Sequence, residues 1–211
     1  MSPPLRYKTP QEQRHVEMVA IVREVLDDDY WQLSIDKLSI EENLREKTTK
    51  ISCVVRMNEK DVSIEETGSG PIDALFNGLK NNFKKSYLSF HGLNFHGFSI
   101  EGDVDRNSLM MSSEVECVLT IASVNVHNNL IYRHRDASIN RAAICVVLNA
   151  VEYYINSERA MKKLREWAAD AQRRNRGDLF EQCVLKMSRL LEGASYTDTL
   201  VTLSDKHEYE D

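Results

Sequence analysis

Glycine and proline are scarce in this sequence, eight and four among 211 residues, and that scarcity excludes collagen-like and low-complexity chains. Long apolar runs are missing as well. No stretch approaches the roughly 18 to 20 consecutive apolar residues that cross a bilayer, and the opening MSPPLRYKTP lacks the apolar centre of a secretion signal. The expectation is a soluble, cytoplasmic protein with no membrane partner. Excess positive charge is absent too. The formal net charge of −6 gives no general attraction to phosphate backbones, so no nucleic-acid partner is expected. The one dense basic stretch, RRNR at 173–176, falls between helical patterns and reads as a solvated turn.

Cysteine is sparse. Cys53, Cys117, Cys145 and Cys183 each sit inside an apolar run, too far apart to spell a zinc ribbon or a disulfide framework, and read as small buried hydrophobes in a reducing compartment. The six histidines form no ligand motif. His91 and His96 lie an odd number apart on a strand-like segment, which points them to opposite faces unless a bulge intervenes. His127 and His134 straddle a turn with no cysteine or carboxylate completing a metal set. No metal, no cofactor and no catalytic residue is therefore expected; an enzyme with a new site built from His91, His127, His134 and nearby acids is the remaining alternative. The GSGP stretch at 68–71 is neither a G-x-S-x-G nucleophile elbow nor a phosphate loop, since no Lys-Ser/Thr follows and the G-x-G-x-x-G spacing is not met.

What is present is a regular alternation of periods. An apolar fraction of 42% and a charged fraction of 28% suit a folded core. Val16, Val19, Val22 and Leu26 recur at helical spacing over 11–27, and Asp27 to Asp29 belong to the following loop, because carboxylates oppose a helix C-terminal dipole. Period-two patterns then predict strands over 31–40, 49–57 and 62–66, followed by a helix over 71–84 with Ile72, Leu75, Phe76, Leu79 and Phe83 on one face. The order repeats: strands over 87–100, 114–126 and 130–132, with a loop over 101–112, and a helix from about 137 to about 164. Two copies of one unit suggest an internal pseudo-repeat of about 70 residues. Residues 165–195 carry helical spacing and predict an appended helical pair, before a frayed tail ending HEYED. The expected class is α+β: two β-β-β-α units related by a pseudo-two-fold, with an N-terminal helix and a C-terminal helical extension. The expected segments are 1–29, 30–164 and 165–211.

The turn at 68–71 admits two readings. A helix N-terminus exposes amide N–H groups and favours an anion, and small residues let a ligand reach the backbone, so an amino-acid carboxylate could bind there without any catalytic side chain. The other reading is a tight strand-to-helix turn with Pro71 at the first helical position.

GSGPIDALFNGL at 68–79 resembles the G-x-G-P-[VI]-D-A-x-[YF] helix start in the C-terminal regulatory (allosteric, dimerisation) domain of 2-isopropylmalate synthase and the related citramalate synthases. The strand pattern over 30–40 and AICVVLN at 143–149 extend the similarity to about residues 30–160. The resemblance implies two β-β-β-α units, a homodimer, and a pocket near the helix starts for an end-product amino acid, leucine or isoleucine, or a related carboxylate. It makes Gly68, Ser69, Gly70, Asp73 and Ala74 the first-repeat candidates. The (β/α)8 catalytic barrel of those synthases, about 250 residues, is absent from this chain. The chain is thus expected to be non-catalytic, with a separate catalytic subunit as a conceivable partner. In the second repeat, YRHRDA at 132–137 stands where the family has a glycine-rich segment. Arg133, Arg135 and Asp136 become candidates there, with the arginines either clamping a carboxylate or phosphate or pairing with surface acids. A dimerisation scaffold that has lost its effector and docks a partner chain is the competing function.

Overall fold

The computed structural model describes residues 9–58, 60–102, 114–123 and 126–191. Its first element is set by local chemistry. Thr9 Oγ1 accepts the Glu12 amide, Glu12 Oε2 accepts the Thr9 amide, and Pro10 fills the first helical position; this capping box starts helix α1, Pro10–Leu26. Asp27, at φ 50°, ends it, and Asp27–Asp29 forms a 3-10 turn, so the acidic run lies in the connection as expected. The buried face is rotated from the expected stripe. Met18, Ile21, Val22, Val25 and Leu26 are buried, whereas Val16 is 47% exposed.

Strands β1 (Leu33–Asn43), β2 (Thr48–Met57) and β3 (Lys60–Gly68) form an antiparallel sheet in that order, followed by helix α2 (Pro71–Phe83). The second unit repeats the plan with β4 (Leu93–Gly102), β5 (Val115–Ser123), β6 (Val126–Asp136) and helix α3 (Ile139–Arg173). Even the irregularities recur. The first pairing of each sheet slips after three residue pairs, between Ile35 and Leu38 in one and between Phe95 and Gly97 in the other. The fold is α+β, two β-β-β-α units with an N-terminal helix and a C-terminal helical extension.

In β2 the alternation is complete: Ile51, Cys53, Val55 and Met57 are buried against the core while Lys50, Ser52, Val54 and Arg56 face water. Helix α2 lays Leu75, Phe76, Leu79 and Phe83 onto that core. It comes closest at Gly78, where a Cβ would stand 2.5 Å from Ile64 Cγ2. A side chain there would force Ile64 or the helix to shift.

Helix α3 is longer than the periodicity suggested. No glycine or proline interrupts 139–173, and the helix continues through residue 164, so the first member of the expected helical pair is its C-terminal part, 165–173. The chain reverses at Asn175, φ 53°, and α4 (Gly177–Leu191) packs back on α3 through Cys183 and Leu190. Strand β6 is also longer than the expected 130–132, because β5 supplies ladder partners along its length. The expected strand over 87–100 opens instead with a 3-10 turn, Leu88–Phe90. Most of the expected 101–112 loop, and the tail, lie outside the described residues.

One polar row on α3 fixes both connections into the sheets. Asn156, fully buried, accepts the Trp31 amide at 2.9 Å through Oδ1 and donates to the Trp31 carbonyl at 2.7 Å through Nδ2. Glu152 accepts the Tyr30 hydroxyl and the Leu33 amide, both at 2.9 Å. Arg159 donates to the Asp29 carbonyl and lies 3.9 Å from the Trp31 ring centroid. Glu158 accepts the Leu88 and Ser89 amides ahead of β4. The four cysteines are free, with Cys53, Cys117 and Cys183 buried and Cys145 half-buried.

Candidate functional site

The site residues expected from the sequence fall in two different places. The first is a groove of about 370 Å³ between the start of α2 and the start of α3. Its polar end is Ser69, Gly70, Asp73 and Asn140; its walls are apolar, with Leu38 and Ile40 from β1, Phe95 and Phe98 from β4, and Ile144 from α3. Both units thus contribute one strand and one helix start to a single groove.

At the α2 start the two glycines differ in kind. A Cβ on Gly68 would stand 2.7 Å from the Ala74 amide nitrogen and 2.7 Å from Asp73 Oδ2, so the close turn requires glycine there. A Cβ on Gly70 would meet nothing within 4 Å, and its φ of −169° is ordinary extended backbone. Gly70 leaves open space at the mouth rather than relieving strain. Asp73 turns back over the helix end. Its Oδ2 accepts the Ser69 amide at 2.9 Å and the Ser69 hydroxyl at 3.0 Å, and its Oδ1 accepts from Asn77 at 2.9 Å. No side chain caps the first turn of α2, so the Ile72 amide there has no side-chain partner among the described residues. Ala74 is fully buried under the turn and touches the groove only through its backbone neighbours.

The second repeat is closed differently. β6 ends at Asp136 as β3 ends at Gly68, and α3 starts three residues later as α2 does. The counterpart of Gly-Ser-Gly is therefore Asp136-Ala137-Ser138. Ser138 caps α3 by accepting the Arg141 amide, and Asp136 accepts the Ser138 amide at 2.7 Å and a forked pair from Arg141. The Arg141 guanidinium and then the Ser138 amide hold the Asp136 carboxyl at about 2, well below its ordinary range. An ion pair closes the second turn, where the first carries two glycines and a Ser69–Asp73 hydrogen bond.

Arg133 and Arg135 do not join this groove. They lie on the side of β6 that faces the start of α1. Arg133 donates to Glu12 at 2.8 Å and to Glu116 at 3.0 Å, and Arg135 to Glu116 at 2.8 Å. Burial raises the Glu116 carboxyl, but the two arginines outweigh it and its affinity for protons is lowered overall. These contacts line a second, larger cleft of about 840 Å³ between α1, β6 and α3. Of the two readings of the arginines, the pairing with acids is the one these contacts carry.

His91 Nε2 donates to the Lys84 carbonyl, 2.9 Å away, in the α2–β4 connection. His127 lies outside the described side chains. No group of three or more metal-ligating side chains occurs among the described residues. No helix among them is long and apolar enough to cross a membrane.

The histidine that stands out structurally, His15, carries no motif. It packs between Tyr132 and Tyr153, ring centroids 4.7 and 5.0 Å away, and burial pushes its imidazole down to about 4. Its spacing from Met18, Val22 and Val25 (i, i+3, i+7, i+10) is the signal that could have placed it on the buried face of α1. The Asn156 row could have been found as a polar interruption in the apolar run of α3.

Comparison with known proteins bears on this geometry. Residues 14–102 match the model of the LeuA allosteric (dimerisation) domain. The match begins in α1 and ends with β4, so it takes in the whole first unit and the first strand of the second. A 2-isopropylmalate synthase from Clostridium acetobutylicum is 39% identical over 67 residues, 32% of this chain and 11% of that enzyme's length. The first unit is therefore similar to an allosteric (dimerisation) domain, and the chain matches about a tenth of that enzyme's length.

Proposed function

Taking residues 14–102 as a LeuA-type regulatory domain, we propose that this protein is a non-catalytic dimeric sensor, binding a branched-chain amino acid or a related carboxylate in the groove between its two helix starts. Ser69, Gly70 and Asp73 contribute the polar end on α2, Gly68 permits the close turn beside them, and Asn140 contributes on α3. One observation carries the reading: the repeated units converge on a small, apolar-walled groove whose α2 end keeps backbone amides uncapped. Its volume suits an aliphatic side chain, and its few polar groups suit the head of an amino acid. Arg133 and Arg135 are not part of this site.

The dimer is supported by what surrounds the groove. Phe95, Ile40, Ile100 and Ile139 are between 36% and 50% exposed along its rim. A second copy covering that rim would remove apolar surface from water and enclose the effector. The reading places the protein in the cytoplasm and leaves synthase chemistry to a separate catalytic subunit. A second reading, an assembly scaffold without effector, is favoured by the hydrogen bonds from Ser69 to Asp73 and by the closed Asp136–Arg141 turn.

A thermal-shift series with the proteinogenic amino acids at millimolar concentration separates the two. The sensor reading expects leucine, isoleucine or valine to raise the melting temperature by mass action, and Ile144→Arg to abolish the rise while the protein stays folded. Melting curves that no amino acid moves, from a protein of dimer mass, would leave the scaffold.

A further inference from the structure

The larger cleft lies beside α1, away from the helix starts, and its make-up is unlike that of the groove. At about 840 Å³ it has more than twice the groove's volume. Aromatic rings form much of its wall: Tyr30, Tyr132, Tyr153 and the imidazole of His15. Such walls favour a planar ring, held in edge-to-face or offset contact. One polar atom in that wall, His15 Nδ1, is buried without a hydrogen-bond partner among the described residues. A buried polar group without a partner is destabilising, and a ligand group that meets it removes that cost. Burial, then neighbouring Tyr154 and Tyr153, push the Tyr132 phenol well up, so it stays a neutral donor.

Charged side chains stand at both ends of the cleft. Glu12, Glu101 and Glu116 gather at one end with Arg133 and Arg135, which are engaged by Glu12 and Glu116. Arg23 stands at the other end, eleven residues along α1 from Glu12, about 16 Å at helical rise. Its guanidinium lies 4.3 Å from the Tyr30 ring centroid and has no acidic partner among the described residues. Glu152, which shares that end, is engaged with the Tyr30 hydroxyl and the Leu33 amide.

We propose that this cleft is a second ligand site, taking a planar aromatic carboxylate whose ring lies against Tyr132, Tyr153 and His15 and whose anionic group pairs with Arg23. The site does not depend on the groove. Arg23 is exposed, so Arg23→Gln leaves the core intact; Tyr132→Phe removes the hydroxyl from the ring wall and keeps the ring.

Calorimetric titration of the full chain with indole-3-acetate and 4-hydroxyphenylacetate tests it, with indole-3-acetamide as the uncharged control. The expected result is binding of at least one acid at millimolar concentration or below, weakened about tenfold or more by Arg23→Gln, absent or equally weak for the amide, and unaffected by saturating leucine. Absence of binding by both acids overturns the proposal. So does binding that Arg23→Gln and Tyr132→Phe both leave unchanged, or that leucine displaces.

Discussion

Asn156→Ala is expected to lower the unfolding free energy by about 3 kcal/mol, because it strands both polar groups of the Trp31 backbone at once. In the native chain one amide side chain accepts the Trp31 N–H and donates to the Trp31 carbonyl, and it is fully buried while doing so. Alanine removes the donor and the acceptor, leaves a cavity, and withdraws a partner from Arg159. For a chain of this size the loss is about 6 to 12 °C in melting temperature. Asn156→Asp should fare no better, since a carboxylate cannot donate to the Trp31 carbonyl and brings a charge into a buried place. Urea unfolding read by circular dichroism gives the number. A loss below about 1 kcal/mol would mean that water replaces the side chain without penalty and that α3 does not hold the connection from α1 to β1.

The second large effect is a loss of stability on mild acidification. His15 is held neutral in the folded chain, with its imidazole at about 4 against an ordinary 6.5. Below pH 6.5 the unfolded chain gains a proton there that the folded chain does not, so folding weakens as pH falls from 6.5 toward 4 and the effect is level outside that window. The loss reaches about 2 kcal/mol by pH 5 and about 3 kcal/mol in full. The carboxylates held low by basic or backbone partners, Glu12, Glu116 and Asp136, act at lower pH, so among the described residues with a shifted group His15 governs the interval from 6.5 to 5. His15→Phe keeps the packing against Tyr132 and Tyr153 and should remove most of the slope between pH 7.5 and 5. An unchanged slope in that variant would place the proton elsewhere.

These two residues also mark where the sequence was hard to read. The double β-β-β-α plan was legible because β2 and α2 obey simple periods and the same order returns after about 70 residues. The turn at Gly68 was legible because its chemistry is local: a proline, a short hydroxyl and an aspartate one turn later close on one another. Contacts between distant segments were not. Nothing in the local pattern tells that Asn156 reaches back 125 positions to Trp31, or that α1 sets His15 between an edge strand and α3. Arg133 and Arg135 illustrate the same limit. On sequence they sit a few residues before a helix start and invite a role there. Strand alternation and the partners at Glu12 and Glu116 turn them to the other side of the molecule. The length of α3 was missed for a different reason. Its apolar face changes partner along the way, from the second sheet to α4, and the shift in stripe imitates a break.

Amide chemical shifts of isotope-labelled protein, followed while L-leucine or L-isoleucine is added to millimolar concentration, report which backbone groups feel the ligand. The sensor account expects Ser69, Gly70 and Ile72 at the start of α2 to move together with Asn140 and Ala143 at the start of α3, along one saturating curve. A spectrum that none of the branched-chain amino acids perturbs at those positions would contradict it.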